Sequence, residues 1–172
     1  MSIDTKNSPI KNYAEIKTDR LFLRTLTEFD AALVKNFGDE FETENDALEW
    51  IRWINNSVND PRVMFYIWIE QTNELIGRVY FHSKAELDGE VEIGYGISEE
   101  HRNKGYATEA AKAIVRFAFE QAGQKELVVI VSHENISSRR VVEKLGFTYC
   151  GIRTVLDNGE YCEFDYFKLY PC

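Results

Sequence analysis

Between Val63 and Ile97 three segments rich in β-branched and aromatic residues, VMFYIWIE, LIGRVYFHS and VEIGYGI, follow one another with the polar turns QTNE and LDGE between them. Such segments read as strands, and the links are too short for the crossover that parallel pairing needs, so the three must run antiparallel. The chain is then committed to a sheet whose middle is a meander, and every other element must cover one of its two faces.

The flanking segments have helical period. Upstream, RLFLRTLT reads as a first strand, Thr27 as an N-cap with Asp30 three residues on, and AALVKNF as a short helix. TENDALEWIRWINN places Ala47, Leu48, Ile51 and Ile54 on one helical face, and Pro61 separates it from the meander. Downstream, ATEAAKAIVRFAFEQA aligns Ala107, Ala110, Ala111, Ile114, Phe117 and Ala118, and Gly123 ends that helix. ELVVIVS suits a strand buried on both faces. NISSRRVVEKLGF is a helix capped by Asn135, with Val141, Val142 and Leu145 inward and Gly146 as its stop. TYCGIRTVL, DNGE and YCEFDYFKLY close the chain as a hairpin turning at Asn158 and Gly159. The expected order is β-α-α-β-β-β-α-β-α-β-β, a mixed α/β fold on a mostly antiparallel sheet of about seven strands.

At 172 residues the chain is expected to form one domain, 1–172, in which residues 1–18 are a polar N-terminal extension. That N-terminus lacks the apolar run of a signal peptide and no segment has membrane-spanning length, which predicts a cytoplasmic protein with no membrane partner. A net charge of −9 argues against nucleic acid as a partner, because that requires a basic face. Cys150, Cys162 and Cys172 show no paired spacing, and His82, His101 and His133 are scattered, so neither a disulfide framework nor a metal site is expected.

The chemistry is concentrated in GISEEHRNKGYATEA, where a strand runs through a short glycine loop into a helix of small residues. A glycine there lets backbone approach a ligand, and the first N–H groups of a helix bind anions; equally, Gly105 could serve a tight turn and the alanines close packing. The P-loop pattern is absent, and a G-x-G-x-x-G reading from Gly94 and Gly96 fails at Glu99. The pattern [QR]-x-x-G-x-[GA] is met by Arg102, Gly105 and Ala107, with Ile97 five residues before Arg102.

That loop resembles the pyrophosphate-binding loop of the GNAT superfamily of acyl-CoA-dependent N-acetyltransferases. NISSRRVVEKLGF, with Asn135, Ser138, Val141, Lys144, Gly146 and Phe147, is similar to the N-x-x-S-x-x-V-x-x-K-x-G-F helix of its ribosomal-protein N-terminal acetyltransferase branch. The element order agrees from about Asp19 to Leu169. The resemblance implies acetyl-CoA as co-substrate, an amine acceptor, and acetyl transfer. It implies that the loop of Arg102, Asn103, Lys104, Gly105, Tyr106, Ala107 and Thr108 holds the pyrophosphate. An N–H near Ile97 would steady the developing oxyanion, and Asn135 would hold the pantetheine arm. Ser138 would protonate the departing thiolate, and Glu92 would accept the amine proton.

Each catalytic role has a plainer alternative. A helical serine often bonds a carbonyl of the preceding turn, and Tyr149 is a second candidate acid. Glu92 is otherwise an exposed strand carboxylate paired with a neighbour, with Glu90 as its competitor if a bulge shifts the strand. The acidic run Asp39, Glu40, Glu42, Glu44 and Asp46 suits a basic peptide N-terminus or a polyamine as acceptor, or is solvated surface. Gly96 stands where the branch often carries a bulky aromatic, which would widen the acceptor site. An amino sugar or antibiotic acceptor, and a non-catalytic acyl-CoA sensor, remain as alternative functions. Tyr161, Phe164, Tyr166 and Phe167 of the last hairpin would serve either the core or a homodimer face.

Overall fold

The structure, a computed structural model, describes residues 15–37, 41–56, 63–83, 89–157 and 159–171. In chain order these form β1 (Glu15–Lys17), β2 (Leu21–Arg24), α1 (Ala31–Asn36), α2 (Glu44–Asn56), β3 (Val63–Ile69), β4 (Glu74–Ser83), β5 (Val91–Ile97), α3 (Tyr106–Glu120), β6 (Leu127–Val131), α4 (Ile136–Lys144), β7 (Thr148–Asp157) and β8 (Glu160–Leu169). The expected order holds, with one addition. β1 is carved from what reads as polar tail, because Ile16 packs on the core while Glu15 and Lys17 stay outside. The sheet therefore has eight strands, in the order β1-β2-β3-β4-β5-β6-β8-β7.

Every pairing is antiparallel except that of β5 with β6. Their register contains a single pair, Glu92 with Val128, so the two strands diverge along the rest of β5 and open a slot in the middle of the sheet.

Strand alternation divides the core in two. Phe65, Ile67, Val79, Phe81, Val91 and Ile93 face Ala110, Ile114, Phe117 and Ala118 of α3 and Val142 of α4. Tyr66 and Trp68, one residue out of phase, face Ala31 and Val34 of α1 and Ala47 and Ile51 of α2. All five residues of α3 that are fully buried come from the six aligned in the sequence, Ala107 alone being partly exposed. Of the four aromatics Tyr161, Phe164, Tyr166 and Phe167, the last two are buried, Phe164 is partly buried and Tyr161 is widely exposed, which favours the core reading for all but Tyr161.

The first helices are anchored electrostatically. Thr27 donates through its N–H and its hydroxyl to Asp30, both at 2.8 Å, the N–H bond being the half of a capping box in which the third helical residue reaches back to the N-cap. Arg24 grips the same carboxylate with two nitrogens, each at 2.7 Å, while its guanidinium lies 4.0 Å from the centre of the Trp68 ring. Asp46 of the acidic run has a comparable task, accepting from the N–H and hydroxyl of Thr43 at the start of α2. Asp39 and Glu40 of that run, with Pro61, Asn158 and Cys172, lie outside the described residues. Among the described residues no helix is long and apolar enough to cross a membrane.

Candidate active site

The loop after β5 is shaped by two left-handed residues, Asn103 at φ 63° and Gly105 at φ 84°. A glycine takes the second position without strain, and it is the N-cap of α3 with no side-chain cap. The first helical bond runs from Glu109 N to Gly105 O, so the N–H groups of Tyr106, Ala107 and Thr108 precede it and point out of the helix start. These donors, with the positive end of the helix dipole, are suited to an anion.

The charged side chains of this loop are not all turned to solvent. Arg102 donates through Nε to the Ile97 carbonyl at 3.2 Å, tying the loop to the end of β5. The carbonyl of Lys104 accepts from Arg20 at 3.1 Å. Arg20 also binds Glu109 in the first turn of α3 and lies over the Tyr106 ring, 4.6 Å from its centre. Glu109 would oppose an anion at this helix start. Burial works against its charge, yet hydrogen bonds from Thr18 and Arg20 hold its carboxyl below the usual range, and the guanidinium offsets it. Arg20 was not legible as a site residue: DRLFLR shows only an arginine ahead of a strand, and its partner is 89 residues away.

Ile97 lies five residues beyond Glu92, past the single pair that joins β5 to β6. Ser98 N bonds Ile76 O on β4 at 2.8 Å, so by strand alternation the preceding N–H, that of Ile97, points to the opposite edge, the one β6 has left.

Across the slot stands the start of α4. Asn135 is its N-cap, and Oδ1 accepts from Ser138 N at 3.0 Å. The Ser138 hydroxyl lies 2.9 Å from the phenol oxygen of Tyr95 on β5. Tyr95 is a second residue missed in the sequence, where an aromatic in a strand signals only core. Tyr149, the other candidate acid, is half-exposed and packs edge-on against Phe167 with ring centres 5.5 Å apart.

The opposite face of β5 carries Glu92, Gly94 and Gly96. Glu92 is 5% exposed. Among the described residues the β4–β5 register runs without a shift from Gly77–Ile97 to Ser83–Val91, so β5 shows no bulge that would bring Glu90 forward; register shifts fall instead between Ile67 and Trp68 of β3 and between Tyr149 and Ile152 of β7. Glu90 is instead held by Lys168 and Tyr166, each at 2.6 Å, and by Arg153 at 3.1 Å. The ring of Tyr80 lies over Gly94, where a Cβ would come within 2.2 Å of it. At Gly96 a Cβ would meet nothing within 4 Å, because the residue lines a cavity of about 200 Å³ together with Val34, Phe37, Phe41, Tyr66 and Arg78. The missing side chain does make room.

The geometry brings the loop, Ile97, Asn135 and Ser138 around one slot and sets Glu92 on the other face of the same strand. Residues 20–148 match the model of the acetyltransferase (GNAT) domain. The chain is 30% identical over 149 residues to the uncharacterized N-acetyltransferase YoaA of Bacillus subtilis (strain 168), covering 80% of this chain and 84% of that one. A candidate ribosomal-protein-serine acetyltransferase of Vibrio cholerae superposes with a TM-score of 0.74 at 23% identity, over 94% of this chain and 99% of that one. RimL, a ribosomal-protein α-N-acetyltransferase solved in complex with coenzyme A, gives 0.74 at 16% identity over 91% and 97%. With most of its length matched to the family model, the chain belongs to the GNAT family of acetyl-CoA-dependent N-acetyltransferases.

Proposed function

We propose that the protein acetylates the α-amine of a peptide or protein N-terminus, holding acetyl-CoA in the slot between β5 and β6. The observation that carries the reading is the divergence of these strands after the pair Glu92–Val128, directly beside a helix start whose N–H groups face outward. An extended, amide-bearing arm ending in a pyrophosphate is complementary to both features: the arm completes the parted edges and the diphosphate meets the N–H groups of Tyr106, Ala107 and Thr108.

When bound, acetyl-CoA supplies a thioester whose acyl carbon a neutral amine can attack. Gly105 and Ala107 give the backbone access, Asn103 and Lys104 complete the loop, and Arg102 keeps it against β5. The Ile97 N–H donates to the negative charge that develops on the carbonyl oxygen. Asn135 orders the start of α4 and steadies the arm. Ser138 delivers a proton to the departing sulfur, and Glu92 takes one from the amine, directly or through water. An α-amine has a pKa of about 8 against about 10.4 for lysine, so it needs little help from that carboxylate.

The acceptor reading draws on the cavity at Gly96. Its walls of Val34, Phe37, Phe41 and Tyr66 suit the apolar side chain of a first residue better than a polyamine. Three of the similar folds carry ribosomal-protein acetyltransferase names, which points the same way, while one carries a spermidine N-acetyltransferase name.

The test is release of free CoA thiol from acetyl-CoA across N-terminal peptides, polyamines and amino sugars, with calorimetric CoA binding on the same sample. Turnover confined to peptides with an apolar first residue is the expected result. Turnover confined to polyamines or amino sugars would replace the acceptor class, and binding without turnover on any amine would favour an acyl-CoA sensor.

A further inference from the structure

We infer that Tyr95 is the positioning residue that aims the Ser138 hydroxyl into the slot between β5 and β6. The inference rests on the acetyltransferase reading of that slot and assigns a task to a side chain outside both sequence motifs.

The phenol oxygen of Tyr95 lies 2.9 Å from Ser138 Oγ and 3.1 Å from the Ser138 carbonyl oxygen, but it has one proton to give. If that proton goes to the carbonyl, Ser138 must donate to the phenol, and its own hydrogen is turned away from the slot. If it goes to Ser138 Oγ, the serine hydrogen is released to point into the slot. Tyr95 thus decides which way the serine can donate. It also competes with the default of a helical serine, which is to bond a carbonyl in the preceding turn.

Tyr95 is suited to stay a neutral donor. Its ring packs on the core between the sheet and α3, and burial pushes its hydroxyl up from the ordinary tyrosine value, against the opposing effect of the Ser138 bond. A phenol in that state does not give up its proton in the reaction; it holds the oxygen that does. As Ser138 protonates the departing sulfur, its O–H bond breaks and an S–H bond forms. The negative charge left on Oγ is met by the Tyr95 hydroxyl, and the proton released when the amine becomes an amide restores the serine through solvent.

The position on β5 makes this arrangement specific. Tyr95 belongs to β5 and Ser138 to α4, 43 residues apart, and their hydrogen bond ties the strand to the helix beyond the single β5–β6 pair, Glu92–Val128. The phenol is therefore fixed by the sheet while the hydroxyl it orients belongs to the helix.

The test titrates the thiol of bound coenzyme A through thiolate ultraviolet absorbance, which needs neither acceptor nor turnover. It compares the wild-type protein, Tyr95→Phe, Ser138→Ala and the double variant. Tyr95→Phe keeps the ring and its packing, and thermal midpoints check that each variant is folded. The expected result is that the wild-type protein lowers the thiol pKa, that Tyr95→Phe raises it as far as Ser138→Ala does, and that the double variant adds nothing more. With a working acceptor, Tyr95→Phe lowers kcat about tenfold at unchanged KM for acetyl-CoA. A Tyr95→Phe protein that titrates like wild type, or effects that add in the double variant, overturns the inference and leaves the acetyltransferase reading intact. Failure of the wild-type protein to bind coenzyme A at all overturns that reading, and the inference with it.

Discussion

Arg20 and Glu109 form an ion pair at 2.6 Å that locks the turn before β2 onto the first turn of α3. One guanidinium thereby offsets the carboxylate nearest the outward N–H groups and supports the Lys104 carbonyl. Arg20→Ala should weaken CoA binding about tenfold at low ionic strength and less at high salt, because the pair is partly exposed and screened. Adding Glu109→Gln should restore part of the loss. Calorimetry with coenzyme A and with pantetheine, which lacks the diphosphate, checks the cause: only the former should respond.

Gly105 tests the loop from within. At φ 84° a side chain is strained, and its Cβ would stand 3.4 Å from an Arg20 nitrogen. Gly105→Val should cost about 1–3 kcal/mol of local strain and abolish detectable CoA binding while the circular dichroism spectrum stays native. Unchanged affinity would show that the diphosphate is held elsewhere.

For Glu92, replacement by Gln keeps the volume and removes the base. kcat should fall more for a lysine ε-amine than for an α-amine, since the latter needs less help to lose its proton. CoA affinity should not move. Equal losses for both acceptors would make Glu92 a structural residue of the β5–β6 junction.

Gly96→Phe should fill the cavity without straining the backbone. KM for the acceptor should rise at least tenfold while the dissociation constant for coenzyme A is retained, the selective loss expected of a binding subsite. Unchanged acceptor kinetics would remove this cavity from the reaction.

Asp30 governs the helix that walls this cavity. Burial raises its pKa, but the bonds from Arg24 and Thr27 prevail and leave it depressed below the ordinary carboxylate value. A depressed folded pKa means that the stabilisation is complete above the unfolded value, about 3.9, and is lost as pH falls through the folded value. Denaturant midpoints should therefore drop steeply below about pH 4 in the wild-type protein and less in Asp30→Asn. At neutral pH that variant should be weaker by about 3 kcal/mol, since it leaves Arg24 beside a buried amide.

Much of this arrangement could be read from the chain alone. Period-two and period-3.6 apolar patterns are local, so the meander, α3 and α4 were legible, as was the helix start at Gly105. β1 was not, because a three-residue edge strand needs only Ile16 to be apolar. Arg20 and Tyr95 were not, because their partners lie 89 and 43 residues away and neither residue type announces such a partner. The competition between Glu90 and Glu92 could not be decided either: it turns on register, which depends on the neighbouring strand as much as on β5 itself.

β5 alternates between two tasks along seven residues. Val91, Ile93, Tyr95 and Ile97 belong to the face shared with α3 and α4, while Glu92, Gly94 and Gly96 look toward α1, α2 and the cavity. Substitution on the second face can retune which amine is accepted without touching the residues that would hold the acyl donor. Insertion or deletion of one residue would exchange the two sets wholesale, putting Tyr95 among the acceptor contacts and Glu92 into the core. This strand should therefore drift freely in amino-acid identity at Gly96, little at Gly94 beneath the Tyr80 ring, and hardly at all in length, and variants with altered acceptors are best sought at Gly96 by point changes alone.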